Sequence, residues 1–291
     1  MRIDVHAHYY PPEFIDRMAE STGRQLGAVL RGTIERPIEQ RLELLDGNGI
    51  DTQVLCVGVQ QPYLPDVQPA CTLARFSNDL YQDIVARFNG RFEAFGCVPL
   101  PHVDAAVAET AYCLDELHMR GINLGCSVAG RPLEDPEFEP LWADLNRRKT
   151  VVFLHPVAIG GPLMDDRGLP MLLGSRFEDT VTAVRLVVSG LTEKFPDVKI
   201  IVPHLGGTIP FMWERMDDFA NRGLTTSPKE GLRRLYYDTV NKGGAALRCA
   251  CETIGPQRIM LGTDFPYMKS PEDFHEYVTY PERSGLPEGD I

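Results

Sequence analysis

Four of the seven histidines stand where short apolar runs end. His6 and His8 close MRIDVHAH, His155 closes VVFLH, and His204 closes KIIVPH; Asp264 directly follows RIMLGT. Residues two apart on a strand face the same side, so the rings of His6 and His8 point together. Two adjacent imidazoles make a poor core, because each has a polar nitrogen to satisfy, but a good start to a metal site. An unpaired buried carboxylate is costly, so an aspartate at the end of an apolar run wants a cation or several donors. Gly206 and Gly207, after His204, let backbone or a ligand approach closely. Three histidines and one aspartate suit zinc, or manganese, cobalt or iron, whereas calcium prefers an all-oxygen shell. No lysine stands in GINLGC or VVFLHP to bridge a second ion, which favours one metal. Singly, each residue has a structural explanation as a hydrogen-bonded core histidine or a cap carboxylate. His102, in a proline-flanked loop, His118, near a helix end, and His275, in the tail, do not share the placement.

The elements that must position these five residues alternate. Strand-like runs at 2–8, 52–58, 92–100, 121–125, 151–155, 199–204, 235–239 and 258–263 are separated by helical stretches at 37–48, 69–89, 103–119, 136–148, 176–194, 209–221 and 243–254. In 176–194 the apolar residues Phe177, Val181, Val184, Val188 and Leu191 recur at steps of three and four, a single helical stripe. Alternating strands and helices imply parallel βαβ units, and eight of them in about 270 residues fit a (β/α)8 barrel. The rival, a doubly wound sheet, advertises a glycine-rich phosphate turn after its first strand, where this chain has His-Ala-His. In a barrel all five residues fall on the carboxyl rim, from strands 1, 5, 6 and 8. The stretches 9–35 and 157–175, rich in Gly, Pro and Met, are expected to be irregular loops over that rim.

Composition narrows the classes. A 43% hydrophobic share supports a large core, and a net charge of −12 argues against a nucleic-acid or anionic-membrane surface. No apolar run is long enough to span a bilayer, and the start MRIDVHAHYYPP is unlike a signal peptide. The seven cysteines are odd in number and scattered, as expected of reduced core residues in a cytoplasmic protein; Cys249-x-Cys251 is a weak metal signal.

Together, IDVHAHYYP, RLELLDGNGID, FLHP, SGLTEKFPDVKIIVPHLGG and RIMLGTDFPY resemble, in order and over residues 3–267, the amidohydrolase superfamily. More narrowly they are similar to its decarboxylases typified by aminocarboxymuconate-semialdehyde decarboxylase. The resemblance implies a distorted barrel in which His6, His8, His155 and Asp264 bind one divalent ion, usually zinc. It gives His204 the acid–base role, activating the metal-bound water. It also implies that Arg215, eleven residues after His204, reaches the carboxylate of a substrate in the neighbouring subunit of a homodimer, with Arg31 as a second such arginine. Some aromatic-acid decarboxylases of the group carry Glu where this chain has His6. The family usually continues past strand 8 to a Gly-Asn-Ala-like ending that LPEGDI does not match, which implies an incomplete set of C-terminal helices in a single domain over 1–291.

The expected activity is decarboxylation of a small unsaturated or aromatic acid. The alternative is hydrolysis of a lactone, ester or amide, with Asp264 or His204 moving the proton. A third reading is a metal-binding protein on an old enzyme fold, without turnover.

Overall fold

A computed structural model describes residues 1–23, 37–157, 164, 166–220, 222–223, 226–268 and 270–290. Arg31 lies outside them, as do parts of both rim loops. The eight expected strands form as β1 (Ile3–His8), β2 (Thr52–Cys56), β3 (Phe92–Gly96), β4 (Gly121–Gly125), β5 (Val151–His155), β6 (Lys199–Val202), β7 (Tyr236–Asp238) and β8 (Ile259–Met260). Each pairs in parallel with the next in chain order. The seam between last and first is closed beyond the regular part of β8: Val5 N–H donates to Leu261 O (2.9 Å), Asp264 N–H to His6 O (2.8 Å) and His8 N–H to Phe265 O (2.7 Å). The result is a (β/α)8 barrel. A two-stranded hairpin, Ser127–Val128 with Arg131–Pro132, extends from the end of β4.

Helices follow the expected stretches with local departures. The helix at Val103–Ala111 continues as a π-turn over Tyr112–Glu116. The stretch 176–194 breaks at Gly190, whose φ of 78° ends Ser175–Val188 before a short turn at Leu191–Lys194. The 9–35 stretch is not all loop. Pro12–Thr22 is helical, with proline in the first turn and Gly23 in the left-handed conformation at its end, signals that the sequence carries.

Most of the apolar stripe of Ser175–Val188 faces outward, with Val184 half-buried against the core. Phe177, Val181 and Val188 are exposed, while the side turned to the barrel buries Glu178, Asp179, Thr182, Ala183, Leu186 and Val187. Hydrophobic spacing located the helix but not the face it buries.

Inside the barrel, Val54, Cys56, Phe95, Phe153 and Ile201 form an apolar floor. Above it the interior turns polar. Asp4, His6 and His8 alternate along β1 onto the inner face, and all three are fully buried. Ladder register shifts between Asp4 and Ala7, a bulge that re-aims the end of the strand. The Asp4 carboxylate holds this bulge. Oδ1 accepts from His6 N–H (3.2 Å) and Thr263 N–H (3.0 Å), and Oδ2 from Gln53 Nε2 (2.7 Å) and Thr263 Oγ1 (2.7 Å). Burial pushes the carboxyl up to about 6 against these four donors. Buried Arg41 extends the network, donating to Gln53 Oε1 (3.0 Å) and His8 O (2.8 Å) with its guanidinium 4.4 Å from the Phe265 ring centre.

Asp4→Ala strips the acceptor from four buried donors. It is expected to cost about 3–5 kcal/mol and to lower the melting temperature by about 10 °C, read by circular dichroism; a shift within about 2 °C would contradict the role given to this network.

Candidate metal centre and active site

The barrel brings together the ends of β1 and β5 and the turns after β6 and β8. One ligand atom from each of His6, His8, His155 and Asp264 lies within 4.8 Å of the others. His6 Nε2 and His8 Nε2 are 3.2 Å apart, and Asp264 Oδ1 is 3.1 Å from the first and 3.0 Å from the second. His204 stands beside them, its Nε2 3.5 Å from Asp264 Oδ2.

The orientation of these rings comes from behind. His8 Nδ1 donates to Cys56 O (3.1 Å) and His155 Nδ1 to Pro156 O (2.8 Å). A carbonyl only accepts, so the proton of each neutral ring sits on Nδ1 and the lone pair of Nε2 faces the centre. His6 Nδ1 meets Asp238 Oδ2 at 2.6 Å, and His204 Nδ1 meets Asp179 Oδ2 at 2.8 Å. The hydrogen-bond pattern is that of ligating histidines, whose second nitrogen is held by a carbonyl or carboxylate.

The backbone is strained where the site needs it. His204 and Asp264 adopt φ of 58° and 61°, a conformation that costs about 1–3 kcal/mol per residue. Asp238 Oδ1 offsets the first by accepting His204 N–H at 2.7 Å, and β1 the second by accepting Asp264 N–H. Space is equally constrained. A Cβ on Gly262 would lie 2.8 Å from Asp238 Cβ and 3.1 Å from His6 Cβ, so only glycine lets the last strand pack against this pair.

The electrostatics favour a cation. Burial, then the His8 and His6 imidazoles, hold His155 well below the usual histidine range. Burial also lowers His8. Burial would raise Asp264, but the electrostatic pull of His6, with His204 and His8 close by, holds its carboxyl well below the usual range. His155 Nε2 is buried with no hydrogen-bond partner among the described residues. An orphaned buried acceptor costs about 1–3 kcal/mol, and a divalent ion among the three imidazoles and the carboxylate would satisfy it. The donor set therefore fits one such ion.

Of the residues singled out in the sequence, His6, His8, His155, His204 and Asp264 converge. Arg215 is exposed on the helix Ile209–Ala220, and Arg31 is not described. Sequence reasoning missed Asp238 and Asp179, both fully buried. Asp238 carried a signal, since it closes the run LYYD as the other site residues close theirs. Asp179 carried none, being one of two adjacent acids, Glu178 and Asp179, in a helix whose apolar stripe points the other way. A cavity of about 860 Å³ opens at the carboxyl ends of β2, β4 and β5, lined by Gln61, Tyr63, Cys126, Ser127, Val157 and Glu178 among others, and by none of the five converging residues.

Equilibrium dialysis against zinc is expected to give close to one ion per chain. Gly262→Ala, which pushes His6 and Asp238 apart, should weaken binding by about 10–100-fold; unchanged affinity would contradict the geometry.

The comparisons agree with this architecture. A family model described as amidohydrolase matches residues 3–288. The decarboxylase macB of Penicillium terrestre is 33% identical over 99% of this chain and 90% of its own length. The 2-amino-3-carboxymuconate-6-semialdehyde decarboxylase of Dictyostelium discoideum is 28% identical over 92% of this chain and 82% of its own. Other curated relatives are named gamma-resorcylate and 6-methylsalicylic acid decarboxylases. Among solved structures, the 5-carboxyvanillate decarboxylase LigW of Sphingomonas paucimobilis superposes with a TM-score of 0.89 at 24% identity, over 99% of this chain and 94% of its own. A barrel whose rim gathers three imidazoles, a carboxylate and a fourth histidine, matched along nearly its whole length, belongs to the amidohydrolase family.

Proposed function

We propose that this chain is a decarboxylase dependent on one divalent ion, releasing carbon dioxide from a small aromatic or unsaturated carboxylic acid. The observation that carries the reading is the inward convergence of His6, His8, His155 and Asp264 beside His204, in a chain whose named relatives are decarboxylases. Those four residues hold the ion. Zinc suits three imidazoles and a carboxylate, and manganese is accommodated by the same donors. When bound, the ion supplies a Lewis acid that anchors and polarises an oxygen of the substrate.

The chain's own residues supply the rest. Decarboxylation replaces a carbon–carboxylate bond with a carbon–hydrogen bond, so one proton must reach the carbon that loses carbon dioxide. His204 is placed for that transfer. Its Nδ1 is held by Asp179, and its Nε2 faces the cluster and exchanges the proton. Asp264 fixes His6 and His8 on one side and His204 on the other.

We further assign Arg215 to the substrate carboxylate across a homodimer, with Arg31 as a second clamp. The support is an apolar surface beside Arg215. Of the large apolar side chains that are exposed among the described residues, Met171, Leu172, Leu173, Phe177, Val181, Val188, Phe211 and Met212 lie on the segment Pro170–Val188 and the helix Ile209–Ala220. Such a concentration marks an interface. The seven cysteines are all unpaired, which suits a reducing, cytoplasmic setting, and no helix among the described residues is long and apolar enough to cross a membrane.

Metal-loaded protein is expected to release carbon dioxide from at least one of a panel containing 2,6-dihydroxybenzoate, 6-methylsalicylate and 5-carboxyvanillate, and to stop when chelated. His204→Ala should keep its metal and lose turnover by about a hundredfold or more, whereas His155→Ala should lose both. No carbon dioxide from any acid, together with hydrolysis of lactones by the same preparation, would contradict the reading. Sedimentation velocity tests the dimer: the parent should run at twice the chain mass and Phe211→Glu at the mass of one chain. A parent that runs as a monomer would sink the assignment of Arg215.

A further inference from the structure

We infer that Asp179 is the positioning residue that sets the tautomer and direction of His204. The inference rests on the acid–base role proposed above for His204 and extends it to a residue outside the cluster.

Asp179 is fully buried on the inward side of Ser175–Val188, and Oδ2 lies 2.8 Å from His204 Nδ1. Its other oxygen is 3.8 Å from the thiol of Cys126. A carboxylate at that place accepts the Nδ1 proton and leaves Nε2 as the working nitrogen, on the side of Asp264. The neighbouring residue fixes the distance. Thr180 Oγ1 accepts Thr208 N–H at 2.8 Å, tying the same helical turn to the loop that carries His204. Gly207 permits the approach: its φ is 63°, and a Cβ there would lie 2.1 Å from Arg176 O and 2.6 Å from Thr180 Oγ1. The helix thus grips the His204 turn twice, by the ring through Asp179 and by the backbone through Thr180.

A purely structural Asp179 would change stability. A positioning Asp179 changes the ring it holds. An amide in its place can donate to Nδ1, which moves the imidazole proton to Nε2 and turns the working nitrogen from acceptor to donor.

The test begins with nitrogen-15 NMR of histidine-labelled, zinc-loaded protein, with His204→Ala used to assign the His204 resonances. The parent should show a protonated Nδ1, and Asp179→Asn should exchange the Nδ1 and Nε2 signatures. An unchanged pattern overturns the inference whatever the enzyme's substrate. Carbon dioxide release is then measured on the acid of the panel that the parent turns over fastest. Asp179→Asn should lower kcat by about a hundredfold, with KM within about threefold and metal content unchanged. Asp179→Glu, which keeps the charge should the amide variant fold poorly, should recover part of the loss. The double variant with His204→Ala should be no slower than His204→Ala alone, because Asp179 acts through that ring. Multiplied losses, loss of metal in Asp179→Asn, or parental kcat in it would each overturn the inference. If His204→Ala itself is fully active, the acid–base reading fails first and Asp179 has nothing to position.

Discussion

Every feature of the site depends on one arrangement, in which imidazoles are held by Nδ1 from outside so that Nε2 turns inward. Four oxygens from four different elements do the holding: the carbonyls of Cys56 and Pro156 and the carboxylates of Asp238 and Asp179. A free imidazole rotates and exchanges tautomers. These rings have neither freedom, and the cost of collecting so many polar groups in the interior falls on the network around them. Asp238 shows the economy of the design, since one oxygen accepts from His204 N–H and Val240 N–H while the other orients His6.

The barrel makes this arrangement affordable. Phe153 packs against His6 from below, with ring centres 4.8 Å apart, and Phe95 stacks on Phe153 in turn. Water is thereby kept from the floor of the site, which strengthens each electrostatic interaction above it. Asp4 locks the bulge in β1 and ties that strand to β2 and to the turn after β8. The placement of His6 and His8 thus depends on Gln53 and on Thr263, the second of which lies 259 residues from Asp4 along the chain.

Much of this was legible in the sequence, for physical reasons. Buried parallel strands are short and nearly continuous in apolar residues, so VVFLH, KIIV and RIML stand out, and whatever polar residue ends such a run lies on the rim. That logic placed His6, His8, His155, His204 and Asp264, and it extends to Asp238. It could not reach Asp179. In an outer helix the apolar spacing reports the largest hydrophobic stripe, and in Ser175–Val188 that stripe is exposed while Glu178, Asp179 and Thr182 are buried. The inner face mixes Glu178, Asp179 and Thr182 with Ala183, Leu186 and Val187, so a helix reading that takes the longest apolar stripe for the buried one picks the wrong side. The helix Pro12–Thr22 was legible but passed over: the proline at its start, Phe14 and Met18 four apart on its buried side, and Gly23 at its end announce it, and the surrounding Gly- and Pro-rich stretch masked them.

The claim on which the rest stands is the identity of the donors. X-ray absorption of the zinc-loaded protein at the zinc edge tests it directly. The expected result is a first shell of imidazole nitrogens and carboxylate oxygen at about 2.0–2.2 Å, with the outer-shell scattering of three histidine rings and no sulfur. A sulfur shell at about 2.3 Å would contradict it, and would move the ion towards Cys56, whose thiol lies 3.4 Å from His8 Nδ1.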